Sequence, residues 1–275
     1  MLKQRLLTAA VLIPLIILAI LYLPSIGFLA ILVLASVLAA WEWLTMTGMK
    51  SALRRSILVL LVVLISLGSL PLVSSQDFFL ALLTYWLAIT AFVLIFAHKA
   101  LPNSLDNLLQ NKVISHVLMT VTLSGFIYSG LWLHGLSGVG PQMVIYLLFV
   151  VWLMDTGGYF FGKRFGQRKL ATAISPNKTW EGLAGGVLLA TLAYMVSVSI
   201  GLPGDISAGV WFLITMVTAL VSVVGDLFES LFKRSFHIKD SGQLLPGHGG
   251  MLDRIDSLLA AGPVFAAGLY LAGIN

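Results

Sequence analysis

VWFLITMVTALVSVVG, residues 210–225, runs for sixteen positions without a charged side chain, and the next residue is Asp226. A bilayer's hydrocarbon core needs about 20 apolar residues per helical crossing, so this stretch reads as a membrane span with an acid at its end. The same reading extends along the chain. Of its 275 residues 59% are hydrophobic and 10% charged, with a mean hydropathy of +1.01, whereas soluble domains carry about 25% charged residues. Further apolar stretches run from Leu6 to Leu23, Phe28 to Leu44, Ile57 to Val73, Phe78 to Ala97, Val113 to Leu133, Met143 to Phe161, Leu183 to Ile200 and Ile255 to Ile274. The expected fold is therefore an all-α polytopic membrane bundle of about nine transmembrane helices. A single membrane domain is expected over 1–275, with scaffold helices mainly in 1–112 and the helices and cytoplasmic loops that hold the candidate chemistry in 143–275. The first stretch follows Lys3 and Arg5 but is long for a signal h-region and lacks a small-x-small exit, so it is read as the first helix.

With a cytoplasmic N-terminus and nine crossings, the inside segments are 1–5, 45–56, 98–112, 162–182 and 226–254. All 16 Lys and Arg fall in them, as the positive-inside bias requires. Outside loops such as 134–142 and 201–209 contain none, so any chemistry belongs to the cytoplasmic face. The net charge of +5 then reflects topology and implies no nucleic-acid partner. The chain has no cysteine, which leaves oxygen or imidazole ligands for any metal and favours hard cations such as Mg²⁺.

Two inside segments hold the candidate chemistry. Gly157 to Lys163 spells G-x-x-x-x-G-K, but Arg164 stands where a P-loop has Ser or Thr, and a membrane helix precedes it in place of a strand, so the P-loop reading is rejected. Asp155 lies inside a crossing, where an acid costs about 2.5 to 3.5 kcal/mol and marks function by default. Ser175-Pro176-Asn177-Lys178-Thr179-Trp180-Glu181-Gly182 leads into the next helix. Ser or Asn suits a cap and Pro the first helical position, while free backbone N–H groups beside Ser175 and Lys178 suit phosphate. Both readings stay open. Asn177-Lys178-Thr179 is also a glycosylation sequon, which a cytoplasmic position makes irrelevant.

The second segment begins at Asp226 and runs through Lys233, Arg234, Lys239 and Asp240 to Pro246-Gly247-His248-Gly249-Gly250 and Asp253-Arg254-Ile255-Asp256. Asp226 and Asp253, on facing ends of consecutive helices, can meet around one or two metal ions. A solvated loop explains the lysines as lipid-headgroup contacts but leaves the acids and the glycine-flanked His248 unexplained. Glu42, between Trp41 and Trp43 at an interface, is read as structural.

The spacing Ser230-x-Phe232-Lys233-Arg234-x4-Lys239-Asp240-x-Gly242-x2-Leu245-Pro246-x-His248-Gly249-Gly250-Met251-x-Asp253-Arg254-Ile255-Asp256 resembles the signature of phosphatidate cytidylyltransferases, the CDP-diacylglycerol synthases. Asp155-Thr156-Gly157 and the Ser175 to Gly182 run are similar to that family's second conserved region. The matched regions cover roughly the last 120 residues. The resemblance implies transfer of CMP from CTP to phosphatidic acid by a homodimer in a bacterial inner membrane, with Mg²⁺ as cofactor and room for K⁺ at the same site. It implies metal ligation by Asp226 and Asp253; the charges of two polyanionic substrates add the expectation that Asp155 or Asp256 joins them and that the catalytic set is Asp226, Asp253, Lys239, Asp240 and Arg254. Substrate binding falls to Ser175, Asn177, Lys178, Glu181, Lys233, Arg234, His248, Gly249 and Gly250. Two other readings remain open: a CTP-dependent membrane lipid kinase of polyprenol type, which moves the γ-phosphate, and a secondary transporter of an organic anion, which would carry charge near the midplane and on both faces.

Overall fold

The computed structural model of the chain describes residues 2–69, 75–242 and 249–274. Its elements are α1 (Leu2–Tyr22), α2 (Ser25–Met46), α3 (Ala52–Ser69), α4 (Ser75–Phe96), α5 (Asn103–Gln110), α6 (Lys112–His134), α7 (Gly140–Phe165), β1 (Lys169–Ala171), β2 (Ser175–Thr179), α8 (Trp180–Ser199), α9 (Ala208–Ser235) and α10 (Leu252–Leu271). Among the described residues, α2, α4, α6, α7, α8 and α9 are six helices long and apolar enough to cross a membrane. The chain is an all-α polytopic membrane protein. His248 and residues 70–74, where the third predicted stretch ends, lie outside the described residues.

α10 runs through the middle, packed on α9, α6 and α4, and its buried face spans Ile255 to Leu269. A helix apolar nearly all round belongs in a core. One apolar cluster centres on Trp211, Tyr146 and Phe265, the other on Trp43, Phe228, Phe232 and Trp86. In the second, the Trp43 and Phe232 ring centroids lie 4.5 Å apart and Trp43 Nε1 donates to Ser115 Oγ at 3.0 Å. The α7–α8 pair is the tightest. A Cβ on Gly157 would stand 2.5 Å from the Gly185 carbonyl oxygen and 2.8 Å from Gly186 Cα, so the two backbones touch, as small residues permit between membrane helices.

Three local results differ from the sequence reading. α9 continues to Ser235, beyond the expected end at Gly225, because Leu227, Phe228, Leu231 and Phe232 repeat at helical spacing and bury against the core. Asp226, Glu229 and Lys233 therefore stand on a helix. The second concerns 167–182, which contains an antiparallel hairpin with Lys169 opposite Thr179. Ser175 and Pro176 lie in its second strand, and Thr179, extended at φ −132° and ψ 155°, caps α8 by accepting from Gly182 N. Finally, the basic segment 98–112 contains α5, whose edge is tied to the end of α9 by Gln110 Nε2 donating to Ser235 O at 2.9 Å.

Three of the segments rich in Lys and Arg, 98–112, 162–182 and 226–254, meet at one end of the bundle. Ala173 N donates to Ala97 O, His98 Nδ1 lies 3.2 Å from Thr172 Oγ1, and Arg234 Nε donates to Ile174 O at 3.4 Å. α9 closes there with His237 at φ +57°, its N–H reaching Arg234 O and the N–H of Ile238 reaching Lys233 O. That pair of bonds satisfies carbonyls at the helix end.

Candidate active site

At this charged end a cavity of about 370 Å³ opens between α7, β2, α8 and α9, with Asp155, Ser175, Asn177, Lys178, Tyr159 and Asp226 in its wall. Each polar group arrives by a different local cause. Asp155 stands ten positions before the end of α7, on the exposed side of the helix. The hairpin projects Ser175, Asn177 and Lys178 over the cavity before the chain turns into α8. Asp226 comes from the extended α9.

Lys178 Nζ meets Asp226 Oδ2 at 2.7 Å, and Ser230 Oγ donates to Asp226 Oδ1 at 3.2 Å from one turn on. Asp155 is within electrostatic range of Asp226, Lys178 and Arg254. Behind them, Asp256 feels Asp226, Glu229 and Asp155 and accepts from Ser257 N at 2.6 Å. Gly225 permits this closeness, since a Cβ there would stand 2.5 Å from the Asp256 carbonyl oxygen.

Asp253 belongs to a neighbouring ionic group. Lys233 Nζ bridges Glu229 Oε2 at 2.5 Å and Asp253 Oδ1 at 2.7 Å. Asp253 Oδ2 also accepts from Gly250 N at 3.0 Å and Ser241 N at 3.2 Å. These donors turn Asp253 into a clamp at the start of α10 and commit the Lys233 ammonium to two carboxylates. Asp226 is thus paired with Lys178 and Asp253 with Lys233.

The remaining expected residues are distributed as follows. Glu181 points away from the cavity: its carboxylate accepts from Gln167 N at 3.1 Å and Arg168 N at 3.2 Å and pairs with Arg168 Nε at 3.2 Å, which ties the hairpin base to α8. The N-terminus of α8 has two N–H groups already engaged, Gly182 N by Thr179 Oγ1 and Trp180 N by Arg168 O. Lys239, Asp240 and Arg254 are exposed. Arg234 lines a smaller cavity of about 220 Å³ with Lys99 and Ser235. Gly249 and Gly250 sit beside Asp253, and Gly249 is at φ +82°.

Two further carboxylates join the picture, Glu229, given no role by the sequence, and Glu42, read above as structural. Glu229 is 2% exposed and follows Asp226 by three positions on the same helix face, a spacing visible once the helix is known to continue. Glu42 is 3% exposed and reaches the far end of the chain, accepting from Ser241 Oγ, Met251 N and Leu252 N. The signal for it was an acid inside an apolar run, the same argument that singled out Asp155.

The carboxylates in the cavity wall are Asp155 and Asp226, beside Lys178, and Glu229, Asp253 and Asp256 stand behind them with Lys233 and Arg254. Among the described residues no three acids or histidines form a cage for a metal. That donor set fits Mg²⁺, which takes one or two carboxylates and completes its shell with substrate phosphates and water. Asp155 and Asp226 share the cavity wall, with both Asp226 oxygens engaged by Lys178 and Ser230.

A membrane helix bundle with lysine and carboxylates around one cavity at its charged end defines a membrane protein equipped to handle phosphates. The sequence profile of the cytidylyltransferase family matches residues 3–272, and the chain belongs to that family. It is 40% identical over 279 residues to a phosphatidate cytidylyltransferase of Pseudomonas aeruginosa, covering 99% of this chain and 98% of the relative. A phosphatidate cytidylyltransferase of Haemophilus influenzae is 34% identical over 290 residues, at 97% and 98% coverage. One from Staphylococcus aureus is 46% identical over 130 residues, covering 46% of this chain and 48% of its own.

Proposed function

We propose that this chain transfers CMP from CTP to phosphatidic acid, forming CDP-diacylglycerol and pyrophosphate. The observation that carries the reading is the Lys178–Asp226 pair facing Asp155 in one cavity at the charged end of membrane helices. A lipid head held in the bilayer and a nucleotide in water can meet only at that level. Similarity along the full chain to two phosphatidate cytidylyltransferases supports the same reaction.

In the step, an ionised phosphate oxygen of phosphatidate attacks the α-phosphorus of CTP. The new P–O bond forms as the bond from that phosphorus to the bridging oxygen breaks, and pyrophosphate leaves with the electron pair. The nucleophile is already anionic near neutral pH, so no strong base is required. The obstacles are repulsion between two polyanions and in-line alignment, which positioned charges overcome.

Lys178 offers its ammonium to a phosphate, and Asp226 holds that ammonium at the cavity until the substrate arrives. Ser175 and Asn177 donate hydrogen bonds beside it. Arg254 and Lys239, both exposed, add positive charge on the side from which CTP approaches. Asp155 and Asp226 would hold Mg²⁺, which when bound neutralises phosphate charge and orients the leaving group. Glu229, Lys233 and Asp253 lock α9 to α10 and so keep Asp226 level with Asp256.

The topology that goes with this reading has nine crossings, a cytoplasmic N-terminus and a site facing the cytoplasm of a bacterial inner membrane. Its support is the confinement of Lys and Arg to alternate segments. A homodimer is proposed on the family resemblance alone.

CTP labelled in the α-phosphate, incubated with detergent-dispersed phosphatidate and Mg²⁺, is expected to place its label in lipid, while γ-labelled CTP places it in pyrophosphate. Label from the γ position in lipid would make the protein a lipid kinase.

A further inference from the structure

We infer that Glu42, on the N-terminal helix α2, is a positioning residue that holds the acid-bearing start of α10 in its working place. The inference rests on the proposed reaction and adds a residue from the half of the chain read as scaffold.

Glu42 is 3% exposed, and both of its oxygens are engaged by the segments that flank residues 243–248. Oε1 accepts from Met251 N at 3.0 Å, and Oε2 accepts from Leu252 N at 2.8 Å and from Ser241 Oγ at 3.2 Å. Leu252 opens α10, so the carboxylate also sits at the positive end of that helix's dipole. Asp253 grips the same two segments through Ser241 N and Gly250 N. Two carboxylates thus converge on one short region, one from α2 and one from α10.

The glycines around it are shaped to this side chain. A Cβ on Gly242 would meet three atoms of Glu42 and nothing nearer, at 2.6, 2.9 and 3.1 Å. A Cβ on Gly250 would run into Glu42 Oε2 and Ser241 Oγ. Those two glycines therefore let the backbone close over Glu42. One residue along, Trp43 packs on Phe232 of α9, so α2 is braced against the helix that carries Asp226, Glu229 and Lys233. Glu42 thereby fixes the height of Asp253, Arg254 and Asp256 relative to the acids of α9.

Glu42→Gln keeps the shape but replaces one acceptor oxygen with a donor that faces N–H groups. A hydrogen bond to a charged group is worth about tenfold to a hundredfold in an equilibrium, and kcat is expected to fall by about that factor. KM for CTP should change far less, because the lost interaction aligns groups that act in the transition state. Gly242→Ala should lower kcat in the wild-type background and add little in a Glu42→Ala background, since the nearest atoms the new Cβ meets belong to Glu42.

Wild-type kcat in folded, monodisperse Glu42→Gln overturns the inference. So does a Gly242→Ala effect that is equal in both backgrounds. Should these variants fail to fold, Ser241→Ala removes one of the three bonds, and the inference expects a few-fold loss of kcat in intact protein; unchanged turnover counts against it. Lipid labelling by the wild type is measured first, and an inactive wild type would count against the proposed reaction and leave Glu42's placement alone.

Discussion

Lys178 meets Asp226 at 2.7 Å with both side chains only partly exposed, at 24% and 29%. A lysine held this way is a positioned charge, because the ion pair fixes its direction before a phosphate arrives. Removing the carboxylate's charge should therefore cost more than one hydrogen bond. Asp226→Asn is expected to lower CMP transfer by about a hundredfold or more, in the range found when preorganised electrostatic groups are lost, while the protein still purifies as a folded species. Lys178→Ala is expected to raise KM for an anionic substrate and to cut kcat/KM by about tenfold or more. Steady-state kinetics with labelled CTP separate the two effects, and equal kinetics in both variants and wild type would return the pair to a structural role. Lys233 was equally visible in the sequence as a basic residue, yet Glu229 and Asp253 consume its charge. Residue type alone could not distinguish these lysines.

Among the elements, the α7–α8 pair frames the cavity and has the least room to adjust. Gly157 lies two positions from Asp155, and its Cα faces the backbone of Gly185 and Gly186. Gly157→Ala must push the helices apart, and overpacking of this kind costs about 1 to 3 kcal/mol. The displaced helix also carries Asp155 away from Lys178. Both the thermal midpoint in detergent and the rate of CMP transfer are expected to fall. Gly68→Ala on α3, where a Cβ meets nothing within 4 Å, is the matched control and should leave both unchanged. A silent Gly157→Ala would mean that the pair can separate without disturbing the site. The hairpin between these helices was read as a loop. Its strands are only three and five residues long, and Pro176 and Asn177 obscure any alternation, so the pairing emerges only from the contact of its two arms.

Across the whole molecule, the decisive feature is that separate basic segments meet at one end. The sequence contains no cysteine, which makes single-cysteine labelling direct. Ser104→Cys on α5 and Ser137→Cys between α6 and α7 are both exposed positions. In right-side-out cells a membrane-impermeant thiol reagent is expected to label Cys at 137 and to spare Cys at 104 until the membrane is opened. The reverse pattern would invert the proposed orientation. The same architecture explains why α2, read as scaffold, matters to the site: Glu42 and Ser241 are 199 positions apart in sequence, and only the packing of α2 against α9 and α10 brings them together.

The apolar spans, the one-sided distribution of Lys and Arg, the acids at helix ends and the spacing from Ser230 to Asp256 are properties of neighbouring residues along the chain. The sequence by itself therefore determined the membrane class, the family resemblance and most of the candidate residues. Which carboxylate faces which lysine is a different kind of property. It depends on helix continuation past Gly225, on glycines that let backbones touch, and on a long-range contact from α2. Only the tertiary structure decided that Asp226 looks into the cavity with Asp155 while Asp253 clamps the start of α10, because charge pairing acts through space and its partners come from distant segments.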